Sequence, residues 1–224
     1  TSTNTYMGPP TPTWQSRVTE TLPSDAKPIK VVPILENLHK DVLLLYNVLS
    51  PSECESLIKE TESLQYEDCH GYHVQYRSNK RVIIMDFKMC DVVSDRIRQF
   101  VPQSVIRNGY EWHLTGLNEV WRFCRYTPSQ HFSPHLDGYF ARNDENRSFF
   151  TFMIYMNGGF EAGATRFLKD RQSLEVLESV VPTTGMTLVF PHDILHDGEP
   201  LGSGVKYIMR SDVMYRRGKP VSDE

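Results

Sequence analysis

From residue 116 to residue 215 the chain is a run of short β-prone segments cut by glycine, proline and other turn residues. This feature most limits what the chain can fold into. Residues 119–126 (EVWRFCRY) alternate, with Val120, Arg122, Cys124 and Tyr126 on one side and Trp121, Phe123 and Arg125 on the other. Residues 148–157 (SFFTFMIYMN) are almost wholly apolar and read as a long central strand, ended by Gly158 and Gly159. Residues 163–168, 176–182, 186–190 and 205–215 follow as further strands. Many short strands with regular breaks imply a sandwich or jelly roll.

Two helices are expected before this region. Residues 42–49 read as a buried strand. Ser50 then offers an N-cap, Pro51 a first helical residue and Glu53 the return half of a capping box. That helix is expected to run to about residue 64, burying Cys54, Leu57, Ile58 and Thr61. Residues 81–87 read as a strand. Residues 91–101 read as a second helix, with Val92, Val93, Ile97, Phe100 and Val101 as its apolar contacts. The predicted class is α+β, mainly β: a jelly-roll core with N-terminal helices packed on one face.

With 224 residues the chain suits one large domain. Residues 1–28, rich in Thr, Ser and Pro, read as a flexible tail or an extended wrap with Trp14 docking on the core, and residues 29–224 as the domain. A net charge of −4 argues against a nucleic-acid partner. The longest apolar runs are too short for a membrane span. Cys54, Cys69, Cys90 and Cys124 are widely spaced, which suggests free thiols in a reducing compartment. With no leader pattern visible, an intracellular, cytoplasmic location is expected.

The chemistry gathers at RYTPSQHFSPHLD, residues 125–137, read as strand, turn at Pro128, and second short strand. His135 and Asp137, two apart, project to one face of that strand. An imidazole and a carboxylate placed so make two-thirds of a facial metal site, and such a donor set favours iron. His-x-Asp alone recurs by chance, so the rest of the chain has to supply a third ligand. His196, just before the Asp197-Gly198 turn, is the better of two histidines in FPHDILHDGEP; His192 reads as a packing or polar residue. Lys206, ten residues on, is placed to pair with the distal carboxylate of a 2-oxo diacid, and Arg210 shares its face as second choice. Residues 66–81, polar, aromatic and basic together, read either as a surface loop or as a flap over the site. As a flap they would offer Tyr72, His73, Tyr76, Asn79 and Arg81 to a substrate.

These motifs, in this order, resemble the iron- and 2-oxoglutarate-dependent dioxygenases of the prolyl-4-hydroxylase-like branch. The resemblance is carried by Arg125-Tyr126-x-Pro128, His135-x-Asp137, FFTFMIYMN, Glu161-x-Gly163-x-Thr165-x-Phe167, Val181-Pro182-x-x-Gly185, TLVFP, His196 and Gly204-x-Lys206-Tyr207. It covers residues 42–216, and implies a double-stranded β-helix catalytic domain. It implies that His135, Asp137 and His196 hold Fe(II), that Lys206 and Tyr126 bind 2-oxoglutarate, and that Thr165 lines the same pocket. Asp137 stands where related halogenases have a small residue, which implies hydroxylation. His131 departs from the pattern and reads as a packing histidine. The implied reaction is hydroxylation of an unactivated C–H bond using O2, with release of succinate and CO2 and with ascorbate as an accessory reductant. A prolyl or other peptidyl substrate is the first expectation and a small-molecule metabolite or amino acid the second. A non-enzymatic metal-binding β-sandwich is the competing class.

Overall fold

The computed structural model describes residues 14–37 and 41–221. The first helix, Pro51–Ser63, starts as its sequence predicts. Ser50 Oγ accepts from the Glu53 amide at 3.1 Å, and Glu53 Oε2 accepts from the Ser50 amide at 2.9 Å. The same carboxylate takes both terminal nitrogens of Arg96, at 2.7 and 2.9 Å, and so ties this helix to the second. The second helix, Phe87–Ile97, begins four residues before the expected start at residue 91. Asp86 is the reason. Its Oδ1 accepts from the Met89 amide at 2.8 Å, so the apolar run that reads as one strand breaks there into strand, cap and helix. Phe87 consequently stays exposed.

Eight of the eleven strands of the large antiparallel sheet follow the order Lys30–Pro33, Leu43–Tyr46, Thr187–Pro191, Asn146–Tyr155, Lys206–Pro220, Val120–Tyr126, Lys80–Met85 and Glu67–Asp68. The small sheet runs Val176–Val180, Thr165–Leu168, His196–Gly198, Phe132–His135. Alternation along the central strands divides two cores. Trp121, Phe123, Phe150 and Phe152 pack against Leu57, Val93 and Ile97 of the helices. Met153, Tyr155, Phe190 and Ile208 face Phe167 and Val180 of the small sheet. The Tyr155 hydroxyl donates across the gap to Thr165 Oγ1 at 2.7 Å. The result is the jelly roll with helices on one face that the strand pattern predicts.

A hairpin, Ser104–Arg107 with Tyr110–Leu117, joins the large sheet although no strand is expected there from the sequence reading. Its turn is Asn108-Gly109, both at positive φ (52° and 75°), the pattern of a tight two-residue hairpin turn. Residues 14–28 run along the core rather than away from it. Trp14 Nε1 donates to Asp86 Oδ2 at 2.7 Å, its ring lies 5.6 Å from Phe123, and Val18 is fully buried. Residues 1–13 of the expected tail lie outside the described residues. Among the described residues no helix is long and apolar enough to cross a membrane.

One turn carries a stability prediction. Gly185 sits at φ +76°, donates to Tyr155 O and accepts from the Val48 amide. A Cβ there would lie 2.1 Å from Leu49 O, a backbone atom that cannot swing aside. Gly185→Ala is expected to cost about 3 kcal/mol or more in urea unfolding. A loss below about 0.5 kcal/mol would show that the turn relaxes.

Candidate metal centre and co-substrate chamber

Strand pairing makes the site. His135 closes Phe132–His135, His196 opens His196–Gly198, and the two are direct register partners. Asp137 follows just past its strand, where its amide donates to His192 O at 2.9 Å and turns it inward. One donor atom from each of His135, Asp137 and His196 falls within 4.8 Å of the others.

The tautomers follow from the hydrogen bonds. A carbonyl can only accept, so His135 Nδ1 donates to Ser133 O at 2.7 Å and His196 Nδ1 donates to Ile194 O at 2.9 Å. Both Nε2 atoms are left to face the site. They lie 3.6 and 3.7 Å from the two Asp137 oxygens. Burial pushes the His196 pKa down to about 4, against the pull of Asp137, so the ring is neutral near pH 7 and available as a ligand. Burial alone would raise the Asp137 pKa, but Arg210, His196 and His135 outweigh it and hold the carboxyl well below its usual range. Two imidazoles that turn Nε2 to one point and one ionised carboxylate, each buried and oriented, fit a divalent first-row metal.

A relay behind Asp137 holds it in place. The Thr151 hydroxyl donates to Asp137 Oδ2 at 2.5 Å. Its single proton is then used, so His192 Nδ1 donates to Thr151 Oγ1 at 3.0 Å, and His192 Nε2 accepts from the Ser148 hydroxyl at 2.8 Å. His192 is therefore a neutral polar residue in the support of the site, and burial pushes its pKa down accordingly.

The same chamber is lined by Tyr126, Thr165, Lys206 and Arg210. Lys206 is only 4% exposed. Its ammonium donates to Gly163 O at 2.6 Å and stands over the Tyr126 ring at 5.3 Å. It forms no ion pair among the described residues. Burial pushes its pKa down to about 8. Arg210 lies elsewhere in the chamber, donating to Asp137 Oδ1 at 2.9 Å.

Residues 66–81 fold back over the edge of the small sheet. Ser133 N donates to Tyr76 O at 2.8 Å, and His131 Nε2 donates to Gln75 O at 2.9 Å, so His131 pins this loop. Tyr72 and Tyr76 stack at 6.1 Å and meet Phe132, which itself stacks on His135 at 3.6 Å. Tyr72, Tyr76 and Arg81 line the mouth beside the metal residues. His73 is exposed, and it is not among the mouth's lining residues. Asn79 is buried and holds Arg77, with Arg77 Nε donating to Asn79 Oδ1 at 2.8 Å. Sequence reasoning passed over Arg77, Thr151 and Ser148. Nothing local marks them, since their places depend on which strands become neighbours.

A family model described as "2OG-Fe(II) oxygenase superfamily" matches residues 121–211. A comparison with curated protein sequences finds no match. Among solved structures, the chain is similar to a viral collagen prolyl hydroxylase of Paramecium Bursaria Chlorella virus-1 (TM-score 0.54, 19% identity, 78% of this chain and 96% of that one). It is similar to a Pseudomonas putida prolyl-4-hydroxylase (0.56, 18%, 82% and 96%). It is also similar to a Trichoplax adhaerens prolyl hydroxylase, solved with a peptide fragment of the hypoxia inducible factor oxygen degradation domain (0.56, 14%, 80% and 85%). At these identities the likeness is one of fold. The family match adds that residues 121–211, the segment that holds His135, Asp137, His196 and Lys206, are similar to oxygenases that use Fe(II) and 2-oxoglutarate.

Proposed function

We propose that this chain, with residues 29–224 as its catalytic domain, hydroxylates a prolyl or other peptidyl residue at an unactivated C–H bond. In this reading His135, Asp137 and His196 hold Fe(II), Lys206 holds the distal carboxylate of 2-oxoglutarate, and Tyr126 and Thr165 shape its pocket. The observation that carries it is the convergence of two imidazole Nε2 atoms and one ionised carboxylate in a chamber that also encloses an ammonium with no ion pair among the described residues. When bound, the metal with 2-oxoglutarate supplies the power to oxidise a C–H bond by O2, with release of succinate and CO2. Ascorbate would serve as accessory reductant.

The chain's own residues do the rest. Met153, Phe190 and Ile208 wall the chamber and keep water out. Thr151 fixes the orientation of Asp137 through its hydroxyl proton. The lip of Tyr72, Tyr76 and Phe132 presents aromatic faces on which a prolyl ring can pack. Peptide substrates are supported by this lip and by the peptide held by the Trichoplax relative.

The test is an anaerobic titration of metal-free protein with Fe(II) and then 2-oxoglutarate, followed by the visible band of the chelate. The band is expected in the wild type and lost in His135→Ala; no band under any condition would sink the reading. Thr151→Val tests the relay. Fe(II) affinity measured by calorimetry is expected to fall about 10- to 100-fold, as when other supporting hydrogen bonds to a ligand are removed. Unchanged affinity would show that Asp137 needs no such support.

A further inference from the structure

The mouth beside the metal residues is a cavity of about 160 Å³ that His135 and Asp137 line together with four arginines, Arg77, Arg81, Arg122 and Arg210; Arg77 and Arg210 reach the adjoining chamber of Lys206 as well. Asp137 is the one carboxylate in that lining. Two of the four cations are matched within the protein. Arg122 pairs with buried Asp212 at 3.0 Å, and Arg210 with Asp137 at 2.9 Å. The other two form no ion pair among the described residues. Arg77 is the sharper case, because it is only 8% exposed. Its Nε donates to Asn79, its outer nitrogen lies 3.6 Å from Cys124 Sγ, and its guanidinium sits 4.4 Å from the Phe132 ring centre and 5.3 Å from that of Tyr72. These contacts hold it in place and bring it no negative charge.

The family's own co-substrate does not remove the imbalance. Fe(II) and the 2-oxoglutarate dianion cancel in formal charge, and Lys206 is already assigned to the distal carboxylate. A guanidinium held rigid, largely dry and unpaired is costly unless an anion arrives. Its planar fork suits a carboxylate.

We infer that the substrate places a carboxylate against Arg77 and Arg81, beside the carbon that is hydroxylated. This rests on the oxygenase reading above and adds the chemical class of its substrate. The carboxylate belongs either to an Asp or Glu side chain next to the target residue of a peptide or to the free α-carboxyl of the target itself. The two share one chemistry at the arginines.

The experiment uses protein loaded anaerobically with Mn(II) and 2-oxoglutarate, and reads dissociation constants by calorimetry. The probes are two matched pairs: N-acetylproline against N-acetylprolinamide, and capped Ala-Pro-Asp against capped Ala-Pro-Asn. In at least one pair the acid is expected to bind about 10-fold or more tightly than its amide. A preference in the first pair assigns an α-carboxyl, and in the second a side chain. Arg77→Gln is expected to erase the preference and Arg77→Lys to restore part of it, with the affinity for 2-oxoglutarate unchanged in both. Arg81→Gln, at a less buried position, reads the same loss should Arg77→Gln fail to fold. No preference in either pair, which includes no binding by any probe, would overturn the inference. So would an Arg77→Gln protein that loses 2-oxoglutarate instead, since Arg77 would then serve the co-substrate. A normal Fe(II)–2-oxoglutarate band alongside either result leaves the oxygenase reading standing; an absent band removes that reading itself.

Discussion

Asp137→Ala is expected to abolish turnover and to lower stability at once. The carboxylate has two roles in the structure, as the charged donor between His135 and His196 and as the partner of Arg210. Without it the proposed iron site keeps two neutral nitrogens and loses its only anionic ligand. A metal site contributes several kcal/mol to such chemistry, and about 4 kcal/mol corresponds to roughly 1000-fold in rate. Succinate release should therefore fall to about one-thousandth of wild type or below. Arg210 would also lose its one ion-pair partner among the described residues, its Nε already without a hydrogen-bond partner there. Removing one member of a buried pair costs about 3–5 kcal/mol, or roughly 10 °C in melting temperature for a chain of this size. Asp137→Asn keeps the shape and should melt closer to wild type while remaining inactive. Activity within tenfold of wild type in either variant would remove Asp137 from the site, and an unshifted melt in Asp137→Ala would show that Arg210 finds another partner.

Lys206→Ala should weaken 2-oxoglutarate binding by about 30- to 1000-fold, because truncating one partner of a buried charge pair costs about 2–5 kcal/mol. The cation's history in the fold makes the effect dependent on pH. Burial has already pushed its pKa down to about 8. In the proposed reading the ammonium binds the dianion and the neutral amine does not, so affinity is expected to be full well below pH 8 and to fall as pH rises through it, by up to about tenfold per unit. Lys206→Arg should flatten that profile, since a guanidinium stays charged. A second consequence has the opposite sign. Lys206 is a buried charge without an ion pair among the described residues, so Lys206→Met should leave the metal-free protein at least as stable as wild type while ruining co-substrate binding. A flat wild-type profile between pH 7 and 9.5, or 2-oxoglutarate affinity within about threefold of wild type in Lys206→Ala, would assign the distal carboxylate to another residue.

Much of the architecture is written in local pattern. The capping box at Ser50 and Glu53, the alternation of Trp121 and Phe123 against Arg122 and Cys124, and the apolar run around Phe150 and Phe152 each depend on near neighbours. Local chemistry stays hidden in two places, one inside a segment that reads as a strand and one in a segment with no expected element. Asp86 is an N-cap set inside what looks like a strand, and Asn108-Gly109 is a hairpin turn between strands whose charged residues hide their alternation.

The jelly-roll class, the helices on one face and the order of the motifs that carry the oxygenase resemblance are all legible in local pattern. Those follow from a side-chain period of two in strands, from caps and turns, and from residue types at short spacing. Which distant groups meet is set by the fold alone. The register of two short strands sets His196 opposite His135, although 61 positions separate them. The fold-back of residues 66–81 buries Arg77 against Phe132, and the pairing of central strands sets Arg210 next to Asp137. Charge balance is a property of such meetings. A guanidinium in the sequence is a solvated cation until the fold removes its water, and whether an anion then stands beside it depends on chain closure over long separations, which no local pattern encodes.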